Sequence, residues 1–264
     1  MSLFNAQQLQ QFIEKGFIHL PQAFSTETAA AARTILWKAT GLDPNDRSTW
    51  TQPVVRIGEL SLPPFVAAAN TPPLHQAFDE LAGKGLWIPR NSLGSFPIRF
   101  PSTEAPGDDG WHVDVSFPGE DAANYFTWRS NVFSRGRALL MLFLFSEVGD
   151  NDAPTRIRVG SHLAVAQLLA PYGETGLSFM ELAQRLTGTS ELPVVHATGM
   201  AGDVYLCHPF LVHAAQAHQG MQPKFMAQPP LAIHGQYDPF RASGSFTPVE
   251  AAIRKGVGLP VNFS

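Results

Sequence analysis

Two histidines and one aspartate have the types and spacing to hold a metal ion. His112 and Asp114 stand two residues apart in the segment WHVD, and His213 follows about a hundred residues later. On a β-strand, side chains two residues apart lie on the same face, so the imidazole and the carboxylate could bind one ion. A second imidazole from a distant strand would complete a facial set that leaves coordination positions open, which is typical of non-heme Fe(II) oxygenases.

A fourth residue, His208, competes with His213 for the third ligand position. The two histidines are five residues apart, so on one continuous strand they would face opposite sides. Pro209 lies between them and would interrupt such a strand. Since each histidine could also be a buried residue bonded to backbone, the residues alone leave this choice open.

The composition favours a soluble enzyme or ligand-binding protein over a protein that binds nucleic acids or membranes. The chain has 264 residues, 44% hydrophobic and 15% charged, with a net charge of −4. It therefore has no basic excess for a nucleic acid or an anionic membrane. The single cysteine, Cys207, excludes an intrachain disulfide framework and a cysteine-rich zinc site. We find neither a long apolar run nor a secretory signal, so we expect a cytoplasmic protein.

Helices are predicted in the first third of the chain, and short strands follow. Helical spacing, cap residues and glycine stops predict helices over residues 7–15, 25–38 and 71–81, with two short helices after Gly160 and Ser178. Apolar or alternating runs predict strands over residues 17–20, 95–100, 111–116, 138–145, 155–159, 194–196, 203–207, 211–214 and 225–234. The run ALLMLFLF (138–145) fits a strand buried on both faces, or one whose outer face is covered by the N-terminal helices.

This order of elements predicts a mainly β fold. Many short strands with glycine and proline turns favour a double-sheet, cupin-like jelly roll with N-terminal and inserted helices packed outside. The chain shows no repeat, low-complexity tract or linker, so we interpret residues 1–264 as one domain. The open mouth between the two sheets is a natural place for a site.

The chain resembles the phytanoyl-CoA dioxygenase family over nearly its whole length. The resemblance rests on six segments in the family's order: LQQFIEKGFIHLPQAF, WHVD, RALLMLFLFSEV, DAPTRIRVGSH, GDVYLCHPFLVHAA and KFMAQPPL. Members of this family are Fe(II)/2-oxoglutarate-dependent oxygenases with a double-stranded β-helix core. The resemblance implies that His112, Asp114 and His213 are the iron ligands, which leaves His208 to packing or to the surroundings of the iron.

The family pattern also indicates where 2-oxoglutarate would bind. Members hold the distal carboxylate of this co-substrate with an arginine about eleven residues after the last ligand, and here that residue is Lys224. Lysine keeps the positive charge but loses the planar fork of donors that matches a carboxylate. Arg99 and Trp128 are further candidates for lining the co-substrate or substrate pocket.

Three other arginines are open to more than one interpretation. Arg137 stands at the start of the apolar strand, where it could line the co-substrate or substrate pocket but a structural role is favoured. Arg156 and Arg158 alternate with an apolar residue, so both would face solvent, or both would form a surface that binds an acidic substrate.

The resemblance implies an enzyme that uses O2 to hydroxylate an unactivated C–H bond of a small molecule while converting 2-oxoglutarate to succinate and CO2. Relatives that halogenate lack the carboxylate, so Asp114 favours hydroxylation. Alternatives are a non-catalytic ligand-binding jelly roll and a metal-dependent hydrolase that uses the same triad with an activated water. The substrate and the oligomeric state are not indicated. Residues 101–110 and 121–128 flank the His-x-Asp segment and are the expected substrate lids.

Overall fold

The computed structural model describes residues 2–261. The strands are β1 (Phe17–Leu20), β2 (Val54–Ile57), β3 (Phe96–Arg99), β4 (Arg129–Ser130), β5 (Leu139–Leu144), β6 (Thr155–Arg158), β7 (Leu177–Ser178), β8 (Val194–Ala197), β9 (Val204–Cys207), β10 (His213–Ala214), β11 (Met226–Ala227) and β12 (Pro230–Leu231). The α-helices are α1 (Ala6–Lys15), α2 (Thr26–Thr40), α3 (Pro63–Ala69), α4 (Pro72–Phe78), α5 (Ser161–Leu169), α6 (Phe179–Gln184) and α7 (Pro248–Gly256).

Two antiparallel sheets form the centre of the molecule. The larger sheet has the order β1-β9-β5-β11, and β12 also pairs with β5; the smaller sheet has the order β10-β6-β8. Two further strand pairs, β2 with β3 and β4 with β7, lie outside these sheets. Each neighbouring pair is antiparallel, for example Met141 opposite Leu206 and Ile157 opposite Val195.

Strand β5 is buried on both faces, as its apolar sequence predicts. Its even-numbered residues, 140 to 144, pack in one cluster with Ile157 of β6 and Ala197 of β8, so this face meets the smaller sheet. Its odd-numbered residues pack in another cluster with Leu36 of α2 and Phe65 of α3. Each fully buried side chain of this kind contributes roughly 1.5–3 kcal/mol. The two sheets and the outer helices are therefore held together largely through β5.

Cap residues fix the ends of the helices. The side chain of Ser25 accepts a hydrogen bond from the Thr28 N–H at the start of α2, and Gly41 ends this helix with a left-handed φ of 71°. Helix α7 begins with a capping box in which Thr247 and Glu250 satisfy each other's backbone N–H. The first pair was recognised in the sequence, whereas the second was overlooked, as were β2 and α3.

Four predicted elements need correction. Residues 111–116 are irregular, and within them His112 makes one antiparallel bridge to His213. The predicted strand over residues 225–234 is split into β11 and β12, because Pro229 and Pro230 lack the N–H that a continuous ladder requires. The helix predicted over 71–81 ends at Phe78 in a π-helical turn, and the one after Ser178 ends at Gln184.

The description as mainly β holds for the centre of the molecule and not for the chain as a whole. More of the described residues lie in helices than in strands. Within residues 2–261, none of the helices has the length and apolar character needed to span a bilayer.

Candidate metal and co-substrate site

The structure brings His112, Asp114 and His213 together. His112 and His213 exchange backbone hydrogen bonds of 3.0 Å in each direction, so the distant segment is paired directly with the His-x-Asp segment. The Nε2 atoms of His112 and His213 lie 3.8 and 4.0 Å from Oδ1 of Asp114. One ligand atom from each residue lies within 4.8 Å of the others, so a small inward shift would let all three contact one ion.

The ring orientation of both histidines leaves one nitrogen directed at this point. Nδ1 of His112 lies 2.8 Å from the carbonyl oxygen of Gly110, and Nδ1 of His213 lies 3.0 Å from that of Leu211. A neutral imidazole has one donor and one acceptor nitrogen, so Nδ1 donates and Nε2 keeps its lone pair. This is the arrangement that metal-binding histidines adopt, with the second nitrogen held by a backbone carbonyl.

Arg137 holds the carboxylate of Asp114. Its Nη1 donates to Oδ2 of Asp114 at 2.8 Å, and its Nη2 donates to the carbonyl oxygen of Val115 at 3.0 Å. Burial raises the pKa of Asp114, but Arg137 and the two imidazoles outweigh burial and lower it to about 2. The carboxylate is therefore ionised near neutral pH. The sequence favoured a structural role for Arg137 over a place in the pocket lining, whereas its guanidinium lines the cavity and contacts a candidate ligand.

Gln228 is a site residue that the sequence did not reveal. Its side-chain Nε2 lies 2.8 Å from Nε2 of His213, so the amide donates to the lone pair that a metal would use. Burial and the neighbouring His112 lower the pKa of His213 to about 4, which keeps this nitrogen an acceptor. Gln228 lies at the break between β11 and β12, within the segment KFMAQPPL, but no role was predicted for it from the sequence.

A cavity of about 990 Å³ opens beside the triad. This volume is at the upper end of the range for small-molecule sites, roughly 300–1,000 Å³. The three predicted co-substrate residues, Lys224, Arg99 and Trp128, all line it. Residues of both predicted lid segments, 101–110 and 121–128, also line it.

One part of the lining is basic. Arg99 donates to both oxygens of Asp108, at 3.0 and 2.7 Å, and Arg56 pairs with the same carboxylate. Lys224 is bridged to Arg99 through the backbone, and its Nζ donates to the carbonyl oxygen of Ala153. Burial and the charge of Arg99 lower the pKa of Lys224 well below its usual value. An anion bound here would offset the cost of keeping this buried ammonium charged.

Trp128 lies in a different part of the lining. Its indole N–H donates to the carbonyl oxygen of Ala122 at 2.9 Å, and its ring packs 6.1 Å from that of Tyr125. The single donor of the indole is therefore already used.

The remaining sequence candidates lie in structural positions. His208 is fully buried, where its Nε2 lies 3.2 Å from the carbonyl oxygen of Val249 in α7. The guanidinium groups of Arg156 and Arg158 lie 4.8 and 4.3 Å from the centre of the Trp111 ring. Both arginines therefore pack on the ring of Trp111, the residue that precedes His112.

Solved structures with the same fold cover most of the chain. The non-heme alpha-ketoglutarate-dependent carbocyclase SnoK from nogalamycin biosynthesis is 16% identical with a TM-score of 0.57, over 92% of this chain and 91% of SnoK. The epimerase SnoN, in complex with Fe3+, alpha ketoglutarate and nogalamycin RO, is 17% identical with a TM-score of 0.57, over 91% of each chain. HygX from Streptomyces hygroscopicus, with nickel and 2-oxoglutarate bound, is 17% identical with a TM-score of 0.55, over 90% of this chain and 88% of HygX.

Comparisons of sequence give no such match. No family model and no curated protein matches the chain, so membership of the phytanoyl-CoA dioxygenase family stays a prediction. At identities of 16–17% the likeness to solved structures concerns the fold. The chain thus shares its fold with structures of non-heme iron enzymes that depend on 2-oxoglutarate.

Proposed function

We propose that the chain is an Fe(II)/2-oxoglutarate-dependent dioxygenase, a single jelly-roll domain of the phytanoyl-CoA dioxygenase family that hydroxylates an unactivated C–H bond of a small molecule. The observation that carries this proposal is the convergence of His112, Asp114 and His213 with both Nδ1 atoms bonded to backbone carbonyls. The shared fold supports it, because SnoN and HygX structures hold iron or nickel together with 2-oxoglutarate.

The donor set fits ferrous iron. Two imidazole nitrogens and one carboxylate oxygen on one side of the ion leave positions for a chelating co-substrate and for O2. When bound, iron and 2-oxoglutarate would let O2 oxidise the C–H bond, with one oxygen atom entering the alcohol and the other entering succinate as CO2 is released. Arg137 keeps Oδ2 of Asp114 occupied, which leaves Oδ1 to face the ion. Gln228 would have to release Nε2 of His213, so its amide would become available to a ligand in the cavity.

The basic lining fits the distal carboxylate of 2-oxoglutarate. Lys224 and Arg99 are both nearly fully buried and adjacent through their backbones, and the Asp108 carboxylate is shared between Arg99 and Arg56. A dianionic co-substrate would balance the remaining positive charge. We therefore assign Lys224 as the principal anchor and Arg99 as its support. Trp128 has no free donor for a carboxylate, so we assign it to the substrate part of the lining.

Other activities are compatible with this fold or this triad, and each can be distinguished from hydroxylation. The structures with a shared fold include a carbocyclase and an epimerase, and analysis of the product separates these outcomes from hydroxylation. Asp114 argues against halogenation, because halogenating relatives lack this carboxylate. A metal-dependent hydrolase with the same triad would need no 2-oxoglutarate, and a non-catalytic binding protein would not consume it.

Succinate formation tests the proposal. Fe(II)-loaded protein incubated with 2-oxoglutarate should form succinate only when O2 is present, even without its own substrate. Asp114→Ala should abolish this turnover because it removes one ligand. Asp150→Ala is a matched control, since its carboxylate is exposed and pairs with His196 at 3.3 Å, and it should retain the activity. Succinate formation that is equal in wild type and Asp114→Ala would contradict the proposal.

A further inference from the structure

A distinct part of the cavity lining is aromatic. This aromatic wall is formed by Tyr125, Phe126, Trp128, Phe179 and Met180, which come from the turn before β4 and from the start of α6. The ring of Phe179 lies 5.6 Å from that of Tyr125 and 5.7 Å from that of Phe126. The two segments therefore form one continuous surface.

The backbone holds the aromatic wall in place. Strand β4 pairs with β7, the strand that leads directly into α6. The guanidinium of Arg129 donates to the carbonyl oxygens of Thr175 and Gly176 at 2.8 and 2.9 Å, which joins the two segments a second time. The wall is thus formed before any ligand binds.

The aromatic wall runs from the triad to the solvent. At its inner end, the ring of Phe179 lies 5.8 Å from that of His112, and the Tyr125 hydroxyl lies 3.5 Å from Oδ1 of Asp114. At its outer end, Phe126 is 57% exposed and Met180 is 48% exposed. Contiguous exposed apolar groups of this kind mark binding surfaces.

The polar groups on the aromatic wall already have partners. The Trp128 N–H donates to the Ala122 carbonyl oxygen, and the Tyr125 hydroxyl accepts from the Val115 N–H at 3.3 Å. The nearby Arg129 also faces the carboxylate of Glu181 at 3.7 Å. What the wall offers to a ligand is therefore ring faces and a thioether.

We infer that the substrate is an uncharged molecule built on fused or linked rings, which lies along the aromatic wall with one C–H bond directed at the triad. Ring faces favour stacked or edge-on contacts with other rings. The cavity is large for 2-oxoglutarate alone, and the basic lining that suits this anion is formed by other residues. A coenzyme A thioester would need free cations for its phosphates, whereas Arg129 is already bonded to two carbonyls. This inference rests on the proposed function in two respects, since that function makes the ligand a substrate and assigns the basic lining to 2-oxoglutarate.

Binding of N-phenyl-1-naphthylamine, an uncharged fluorescent molecule with linked rings, tests this inference on the Fe(II)-loaded protein without O2. The wild type should bind the probe with enhanced fluorescence, and the double variant Phe126→Ser/Met180→Gln should bind it roughly tenfold more weakly, since an apolar contact surface is lost. Phe240→Ser is a matched control: Phe240 is 41% exposed but packs on Phe133, and its loss should leave the affinity unchanged. 1-Naphthol should displace the probe, and octanoyl-coenzyme A at equal concentration should not.

Two results would overturn the inference: equal probe affinity in the wild type and the double variant, or preferential displacement by the thioester. A separate titration with 2-oxoglutarate keeps the two proposals distinguishable. The double variant should still show the visible band of 2-oxoglutarate chelated to Fe(II), because its substitutions lie outside the basic lining. If the wild type lacks this band but binds the probe as described, the proposed function fails while the aromatic wall remains a binding surface for uncharged rings.

Discussion

The molecule contains two close pairs of histidines, and their comparison shows what makes a metal site. The rings of His112 and His213 are 4.4 Å apart, and those of His162 and His208 are 4.9 Å apart. His213, His162 and His208 are buried, whereas His112 is partly exposed. The short distance between the rings therefore does not distinguish the two pairs, and each pair contains buried histidine.

The partners of the ring nitrogens do distinguish them. In the site pair, both Nδ1 atoms bond to carbonyls two residues earlier in the chain, so both Nε2 lone pairs lie on the side of Asp114, where that of His213 accepts from the Gln228 amide. In the core pair, Nε2 of His162 and of His208 lie 3.1 and 3.2 Å from the carbonyl oxygens of Ile13 in α1 and Val249 in α7. The core pair thus fastens helices together, while the site pair directs its lone pairs at a point that an ion can occupy.

The largest expected effects come from removing one histidine of each pair, which should separate metal binding from stabilisation of the core. His213→Ala should weaken Fe(II) binding by at least roughly a hundredfold, because even changes around the ligands cost ten- to a hundredfold. His208→Ala should bind Fe(II) like the wild type but lose roughly 2–4 kcal/mol of unfolding free energy, as expected for a large-to-small change in the core. Anaerobic Fe(II) titration and urea unfolding measure the two quantities.

The opposite pattern would refute the comparison. Loss of iron from a folded His208→Ala protein, together with retention of stoichiometric iron in His213→Ala, would mean that the histidines were assigned to the wrong pairs.

A smaller effect on ligand binding is expected from a variant that leaves both histidine pairs intact. Lys224→Ala should raise the dissociation constant of 2-oxoglutarate roughly tenfold to a hundredfold, the equivalent of one charged hydrogen bond, and should leave Fe(II) affinity unchanged. The exposed Lys84 supplies the control, since Lys84→Ala should change neither constant. Anaerobic titration with 2-oxoglutarate measures both variants. An unchanged constant for Lys224→Ala would move the anchor to another residue.

The buried core pair of His162 and His208 should make the free energy of unfolding depend on pH. Burial lowers the pKa of His162 to about 4, from an ordinary value of 6.5. Between these values an unfolded chain binds a proton at His162 that the folded chain refuses, so this residue should lower the free energy of unfolding by roughly 3 kcal/mol as pH drops from 6.5 to 4. His162→Gln should reduce the slope by this contribution, while His196→Gln, at a more exposed position, should keep it. Urea unfolding at several pH values would disprove this account if both variants matched the wild type.

Part of this molecule could be predicted from the sequence because the signals are local. The starts of α1 and α2 depend on Asn5 and Ser25 and their immediate neighbours, and the apolar run of β5 requires burial on both faces. His112 and Asp114 were proposed from their spacing, whereas the resemblance to the phytanoyl-CoA dioxygenase family selected His213 over His208 as the third ligand. The spacing predicts His112 and Asp114 on one face of a strand over 111–116, but that strand does not form. A single backbone bridge between His112 and His213 brings the ligands together instead.

The rest of the site could not be predicted because it depends on contacts between distant segments. Arg137 reaches Asp114 across 23 positions, and Gln228 reaches His213 from a proline-broken strand. The aromatic wall joins residues 125–128 to 179–180 through β4 and β7, which have two residues each. No periodicity in a single sequence indicates such short strands or their partners.

The most direct test of the central claim is anaerobic titration of the Fe(II)-loaded protein with 2-oxoglutarate, followed by visible absorption. We predict a weak metal-to-ligand charge-transfer band that grows and saturates in the wild type and in His208→Ala, and that is lost in His213→Ala. Iron binding without this band in the wild type would contradict the account, because it would leave a triad that holds a metal in a cavity that does not bind the co-substrate.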